Sequence, residues 1–162
     1  MSIVINKINP RIRIDNAHTP DYPAADWHIN PQIPECQDKY LITYNDVLSE
    51  MTDADKLIID NLEIAEAKKI KIAEIKQAAQ SVILATYPEW KQRNYTGRGM
   101  DILAKIVEGG TLTADETADR QQIENMGAWI FSIRSQSDSM EADIESFNNL
   151  STIKAYSIAY NE

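Results

Sequence analysis

The chain has 162 residues, of which 16 are Lys or Arg and 25 are Asp or Glu, so its formal net charge is −9. A chain of this length can bury an ordinary core without a disulfide or a metal, and we expect one domain with an additional terminal segment. The acidic charge argues against a nucleic-acid or membrane partner. No apolar run reaches the roughly 18 residues of a membrane-spanning helix. The single cysteine, Cys36, excludes an internal disulfide and a multi-thiolate zinc site.

Residues 1–38 are predicted to form an extended arm without helices. Five of the six prolines fall in this segment, and each removes a backbone donor and disfavours helical geometry at the preceding residue. The segment is too apolar for a free tail, so we expect it to lie on the helical body or on a neighbouring subunit. The candidate partner-binding residues are the large apolar side chains Ile3, Ile5, Ile12, Ile14, Tyr22, Trp27 and Ile29.

Residues 39–51 favour a short β-hairpin or strand, because β-forming residues lie on both sides of Asn45-Asp46, a pair that tolerates turn geometry. Thr52 is a suitable N-cap for a helix over about residues 52–87. Steps of three and four residues predict a seam on this helix at Ile58, Leu62, Ala65, Lys69, Ile72, Lys76, Ala79 and Ile83. Its two lysines argue against a long self-associating coil.

The segment TYPEWKQRNYTGRG, residues 86–99, follows this helix. Its cations, aromatic residues and glycines could serve a ligand site, but Gly97 and Gly99 lack the preceding strand and third glycine of a dinucleotide-binding loop. We favour a structural corner, in which proline restarts a turn, two glycines complete a reversal and two aromatic residues cover the end of the bundle. The residues of this predicted corner are Pro88, Trp90, Tyr95, Gly97 and Gly99.

Two further helices are predicted, at about residues 100–108 and 113–148. Gly109-Gly110 ends the first, and the capping-box pattern from Thr113 to Glu116 begins the second. The last helix carries an unbroken seam at Ile123, Met126, Ile130, Ile133, Ser137, Met140, Ile144 and Phe147. We therefore predict a mainly α fold in which residues 52–162 form a long antiparallel helical hairpin or small bundle. Residues 150–162 fit either a short helix or a β segment.

The arm also contains the chain's only cluster with metal-ligand chemistry, formed by His18, Asp21, Asp26, His28 and Cys36. A proline-rich segment has no regular backbone to fix such ligands, and neither histidine is placed for nucleophilic catalysis. The basic run over residues 67–76 is interpreted as a solvated helix face rather than an anion site. We expect no catalytic residues, no metal and no cofactor.

Three segments resemble a known group of proteins. YPEWKQRN (87–94) lies between a long alanine-rich amphipathic helix and WIFSIRSQSDSMEADI (129–144), and KYLITYNDVLSEMTDADKLIID (39–60) precedes both. Together, over residues 39–147, they resemble the carboxy-terminal helical region of small tail-fibre and tail-associated proteins of tailed bacteriophages. No residue before position 39 shares this resemblance.

The resemblance implies a non-enzymatic component of the virion tail, made in the cytoplasm of the bacterial host and associated with a fibre or baseplate. Its partners would be other tail proteins, bound through the arm over residues 1–38, and a homo-oligomer is compatible with the helical seams. An alternative is a tail-fibre assembly chaperone that is absent from the mature virion. A third hypothesis is an inhibitory binding module whose acidic helices mimic a polyanion.

Overall fold

The computed structural model describes residues 2–161, which contain four α-helices and two small antiparallel sheets. The fold is therefore mainly α, as the sequence predicts. The chain divides into two compact units, one ending at Leu62 and the other beginning at Glu63, rather than at the predicted boundaries 38/39 and 51/52. We call them the N-terminal unit and the helical unit.

The N-terminal segment contains three paired strands where the sequence predicts an extended arm. Strands β1 (Ile3–Asn6), β2 (Arg13–Asp15) and β3 (Trp27–Ile29) form an antiparallel sheet with β1 in the centre. The prolines lie outside all three strands, where they do not remove a ladder hydrogen bond. The prediction was wrong here because β1 supplies the backbone partner that the sequence analysis did not assign to β2. The 3-10 turn at Thr19–Asp21 also contradicts the expected absence of helix.

The predicted β-hairpin is present as strands β4 (Leu41–Tyr44) and β5 (Val47–Glu50). Its two turn residues, Asn45 and Asp46, have φ values of 49° and 60°, which is the conformation of a two-residue type I′ turn. Leu41 and Leu48 from this hairpin pack with Ile5 of β1. The core of the N-terminal unit thus joins the hairpin to the three-stranded sheet.

Helix α1 (Asp53–Thr86) begins where the sequence predicts, because the Thr52 hydroxyl accepts a hydrogen bond from the Asp55 amide. The predicted seam is only partly correct. Ala79 is buried, but Ile58 and Leu62 are 58% and 62% exposed. Apolar residues occupy several faces of α1, so spacing alone does not identify the buried face.

Helix α2 (Glu89–Val107) replaces most of the predicted corner. The break at Pro88 is correct, since this residue is the N-cap of α2. Gly97 and Gly99 lie inside the helix, and Trp90 is 63% exposed and does not cover the core. The corner prediction was wrong because a helix tolerates interior glycine at a cost of about 1 kcal/mol relative to alanine.

Helix α3 (Ala114–Ser146) agrees closely with the prediction. The Thr113 side chain accepts from the Glu116 amide, and the Glu116 carboxylate accepts from the Thr113 amide at 2.7 Å, so the capping box is complete. Every position of the predicted seam is buried or half-buried. Five of them form the buried face of the helix: Met126, Ile133, Ser137, Met140 and Ile144.

Contacts along α3 show the direction of its neighbours. Lys68 of α1 donates to the Glu145 carbonyl at 2.6 Å, whereas Tyr87, just beyond α1, has its ring centre 5.4 Å from that of Trp129. Residue numbers in these contacts increase along α1 while they decrease along α3, so α1 and α3 run in opposite directions.

Helix α2 also runs in the opposite direction to α3, as its ion pairs with α3 show. Arg98 pairs with Asp119 at 2.8 Å, and Lys105 pairs with Glu116 at 2.6 Å. The chain therefore reverses between residues 107 and 114, not at residues 86–99. Gly109, with φ of 78°, supplies the left-handed conformation that this connection requires.

The C-terminal segment contains the short helix, which is one of the two conformations that the sequence left open, and no β-strand is found over residues 150–161. Helix α4 (Leu150–Ala155) is followed by a tail without regular secondary structure. Tyr156, Ile158 and Tyr160 of this tail pack against Ile75 of α1 and its neighbours on α3. The Tyr160 hydroxyl donates to the Ile75 carbonyl at 2.8 Å. The tail is thus an integral part of the helical core.

Candidate interaction surface

Six of the seven predicted partner-binding residues are divided between the two faces of the three-stranded sheet. In register, Ile5 lies opposite Arg13 and His28, whereas Val4 lies opposite Ile14 and Ile29. Side chains alternate along a strand, so these two rows project to opposite faces. Ile5 is buried with Leu41 and Leu48, and Ile3 packs against the same cluster. Their assignment as partner-binding residues is therefore wrong, because both contribute to the core.

Four of the remaining residues are brought together on the other face. Ile14 and Ile29 flank Val4, and Trp27 lies opposite Asn6, two positions further along β1. Tyr22 packs edge-on against Trp27, with ring centres 5.1 Å apart. We call the surface formed by Ile14, Tyr22, Trp27 and Ile29 the Ile29 face. Its four side chains are half-buried or exposed, so apolar surface is available for a contact.

The connection between β1 and β2 adds apolar groups that project into solvent. Ile8 is 90% exposed, and Ile12, the seventh predicted residue, is also exposed. The Asn6 side chain accepts hydrogen bonds from the amides of Ile8 and Asn9, which fixes the backbone of this connection. The sequence analysis missed Ile8. The Asn-x-x-Asn-Pro pattern around it is a turn signal that could have marked it as exposed.

Within the N-terminal unit, residues beside the hairpin make polar contacts to the first turns of α1. Asp60 accepts from the Lys39 ammonium at 2.6 Å and from the Tyr40 hydroxyl at 2.8 Å. The hydrogen bond from Lys39, followed by that from Tyr40, lowers the pKa of Asp60. Lys56 also bridges Glu50 and Asp53. All of these pairs lie within the N-terminal unit and connect residues 39–50 to the start of α1.

The histidines and the cysteine are not assembled into a common site. His18 lies 3.3 Å from the Asp21 carboxylate, whereas the buried His28 shares a hydrogen bond of 3.0 Å with the Thr43 hydroxyl. Burial, with a contribution from Glu50, raises the pKa of the half-buried Cys36. Over residues 2–161, no group of three or more His, Cys, Asp or Glu side chains is arranged to hold a metal ion. No helix in this range is long and apolar enough to cross a membrane.

Comparison of the chain with protein-family models, curated proteins and solved structures found no match. The candidate surface therefore rests on the geometry described above.

Proposed function

We propose that this chain is a non-enzymatic structural component of a bacteriophage tail, associated with a fibre or baseplate. The N-terminal unit would dock onto a neighbouring virion protein. The observation that carries the proposal is the Ile29 face, together with the exposed Ile8 in the connection between β1 and β2. The resemblance of residues 39–147 to tail-associated proteins supports the assignment to a virion.

The construction of the N-terminal unit supports docking by a folded module. Ile5, Leu41 and Leu48 form a core on one side of the sheet. On the other side Val4 is fully buried between Ile14 and Ile29, but Ile29 keeps 39% of its surface exposed and can still contact a partner. A pre-formed surface loses less conformational entropy on binding than a disordered arm would. Binding through a folded face replaces the predicted mode, in which an extended arm pairs along its neighbour.

The helical unit would act as a spacer. We propose that α1 and α2 form one side of a long helical hairpin and α3 forms the other. The opposed ion pairs Lys76–Glu141 and Arg98–Asp119 support this arrangement. A helix rises about 1.5 Å per residue, so a helix of 33 residues is roughly 50 Å long. A helical hairpin of this length could separate the partners bound at its two ends, which is a structural role that needs no catalytic residue.

The proposal is tested with a double variant, Ile8→Ser with Ile29→Ser, produced in a host infected with phage lacking the native copy. Both side chains are exposed, so the variant should fold. We expect its copy number in purified virions to fall at least about tenfold, as for the loss of a central apolar contact. Leu57→Ser, at an apolar position on α1 whose 60% exposure lies between those of Ile29 and Ile8, is the control and should leave copy number unchanged.

Mass spectrometry of purified virions measures the copy number of each variant. Normal incorporation of the double variant would refute docking through the Ile29 face. If the native chain is missing from virions but is recovered with fibre protein from infected cells, the assembly-chaperone alternative replaces the structural one.

A further inference from the structure

The C-terminal tail, residues 156–161, presents every second side chain to the core of the helical unit. Tyr156, Ile158 and Tyr160 are half-buried, whereas the residues between them are exposed. The three half-buried side chains pack against a cluster of α1 and α3 residues. A period of two residues lets a segment place one set of side chains on a surface and leave the other set in solvent.

Polar contacts bind both ends of the tail. The Tyr156 hydroxyl donates to the Asp143 carboxylate at 2.8 Å. At the other end, the Gln136 side chain accepts from the Asn161 amide at 2.8 Å and donates to the Asn161 carbonyl at 3.2 Å. Contacts to alternate side chains combined with hydrogen bonds to the main chain are the features by which proteins bind peptides. We call the surface formed by Ile75, Gln136, Met140, Asp143 and Ile144 the tail site.

The tail is weakly attached between its two ends. Within residues 2–161, no hydrogen bond joins the backbone of residues 157–160 to another protein group. Helix α4, directly before the tail, is fixed by Ile153, which is only 1% exposed. Segments with few backbone hydrogen bonds and half-exposed side chains open at a lower free energy than the whole fold. The tail can therefore leave the tail site while α4 stays in place.

The occupant that the tail site fits is known, because the chain's own tail lies in it. We propose that the tail site is a peptide-binding site and that two copies of this chain exchange their tails through it. Exchange replaces each contact within one chain by the same contact between two chains, so only the entropy of association opposes it. Six residues span at most about 20 Å, so exchange occurs between copies that lie side by side at this site.

The first test measures whether the tail site binds a separate peptide. The tail variant, full-length protein with Ile158→Ser and Tyr160→Ser, keeps the tail site but loses two of the side chains that fill it. We expect a fluorescent peptide of residues 155–161 to bind the tail variant at least about tenfold more tightly than the native protein, whose own tail competes at high effective concentration. Fluorescence anisotropy measures both affinities. Absence of binding to the tail variant, or equal affinity for both proteins, would overturn the proposal.

Three further variants locate the bound peptide. Tyr160→Phe, which removes only the hydroxyl that donates to the Ile75 carbonyl, should bind the peptide with intermediate affinity. Added to the tail variant, Gln136→Ala should weaken peptide binding at least about fivefold, because two hydrogen bonds are lost. Gln121→Ala is the matched control, since Gln121 lies on the same helix and pairs with Asn125. Equal affinities after the two glutamine substitutions would exclude binding at the tail site.

The second test measures exchange between complete chains by sedimentation velocity. The labelled tail variant should sediment as a monomer alone and as a dimer with excess native protein, because the native tail enters its vacant tail site. Excess unlabelled tail variant is the control and should leave the labelled chain monomeric. A dimer with both partners would place the interface elsewhere. A monomer with both partners would show that copies do not exchange tails, and either result would overturn the proposal.

Discussion

The two compact units form their cores in different ways. In the N-terminal unit, Ile5, Leu41 and Leu48 come from three separate strands. In the helical unit, Met140 and Ile144 follow one another along one face of α3 and pack against Ile75 of α1. Each core is thus made from residues of its own unit. A substitution in one core should therefore act mainly on the unit that contains it.

The largest expected effect on the free energy of unfolding comes from truncating a fully buried isoleucine in either unit. Ile5→Ala should destabilise the N-terminal unit by about 2–5 kcal/mol, because it removes buried contacts and leaves a cavity. Ile144→Ala should have an effect of the same order on the helical unit. Hydrogen exchange measured on peptides from residues 2–50 and from residues 63–161 separates the two responses.

Each variant should lose protection mainly in its own unit, because the chain divides near Leu62. Equal loss of protection in both regions after either substitution would mean that the units unfold together. In that case the difference between the two cores would have no consequence for stability.

The sequence predicted most of the helical unit because its determinants are local. The capping box at Thr113 and the seam of α3 involve residues three or four apart, so a single helix reveals them. The seam of α1 was predicted only in part, because Ile58 and Leu62 satisfy the same spacing on an exposed face. Which apolar face becomes buried depends on contacts with α3 and with the tail that no local pattern contains.

The N-terminal unit was harder to predict for the same reason. Val4 pairs with Ile29 across 25 positions of the chain, and proline content within that interval obscured the pairing. The hairpin turn at Asn45-Asp46 was predicted because its chemistry is local. For the candidate surface, the sequence supplied the apolar residues but not the alternation that places Ile5 in the core and Ile29 outside.

The second prediction concerns acid stability, which should depend on Glu116 in the helical unit. The hydrogen bond from Lys105, followed by that from the Thr113 backbone, lowers the pKa of Glu116 from 4.5 to about 2. A lowered pKa in the folded state means that Glu116 stabilises the fold above pH 4.5 and that this contribution disappears as pH falls toward 2. The difference in melting temperature between the native protein and Glu116→Gln should therefore be largest above about pH 5 and shrink below it.

Asp115→Asn provides the matched control in the same turn of α3. Thermal melting of all three proteins, followed by circular dichroism, measures the trend. If Glu116→Gln and the native protein lose stability in parallel throughout the acid range, the ion pair with Lys105 does not contribute to the pH dependence.

The smallest effect tests whether residues 86–99 contain a helix or a corner. In the structure Gly97 is helical and an added methyl group meets no atom within 4 Å. Gly97→Ala should therefore stabilise the helical unit by about 0.5–1 kcal/mol, through helix propensity and a smaller entropy of the unfolded chain. At a glycine with positive φ the same change would destabilise, and Gly109→Ala, where φ is 78°, supplies that comparison. Urea unfolding measures the stability of both variants. If Gly97→Ala is more stable and Gly109→Ala less stable than the native protein, the chain reverses direction at Gly109. If both substitutions are destabilising, the predicted corner at Gly97 is correct instead.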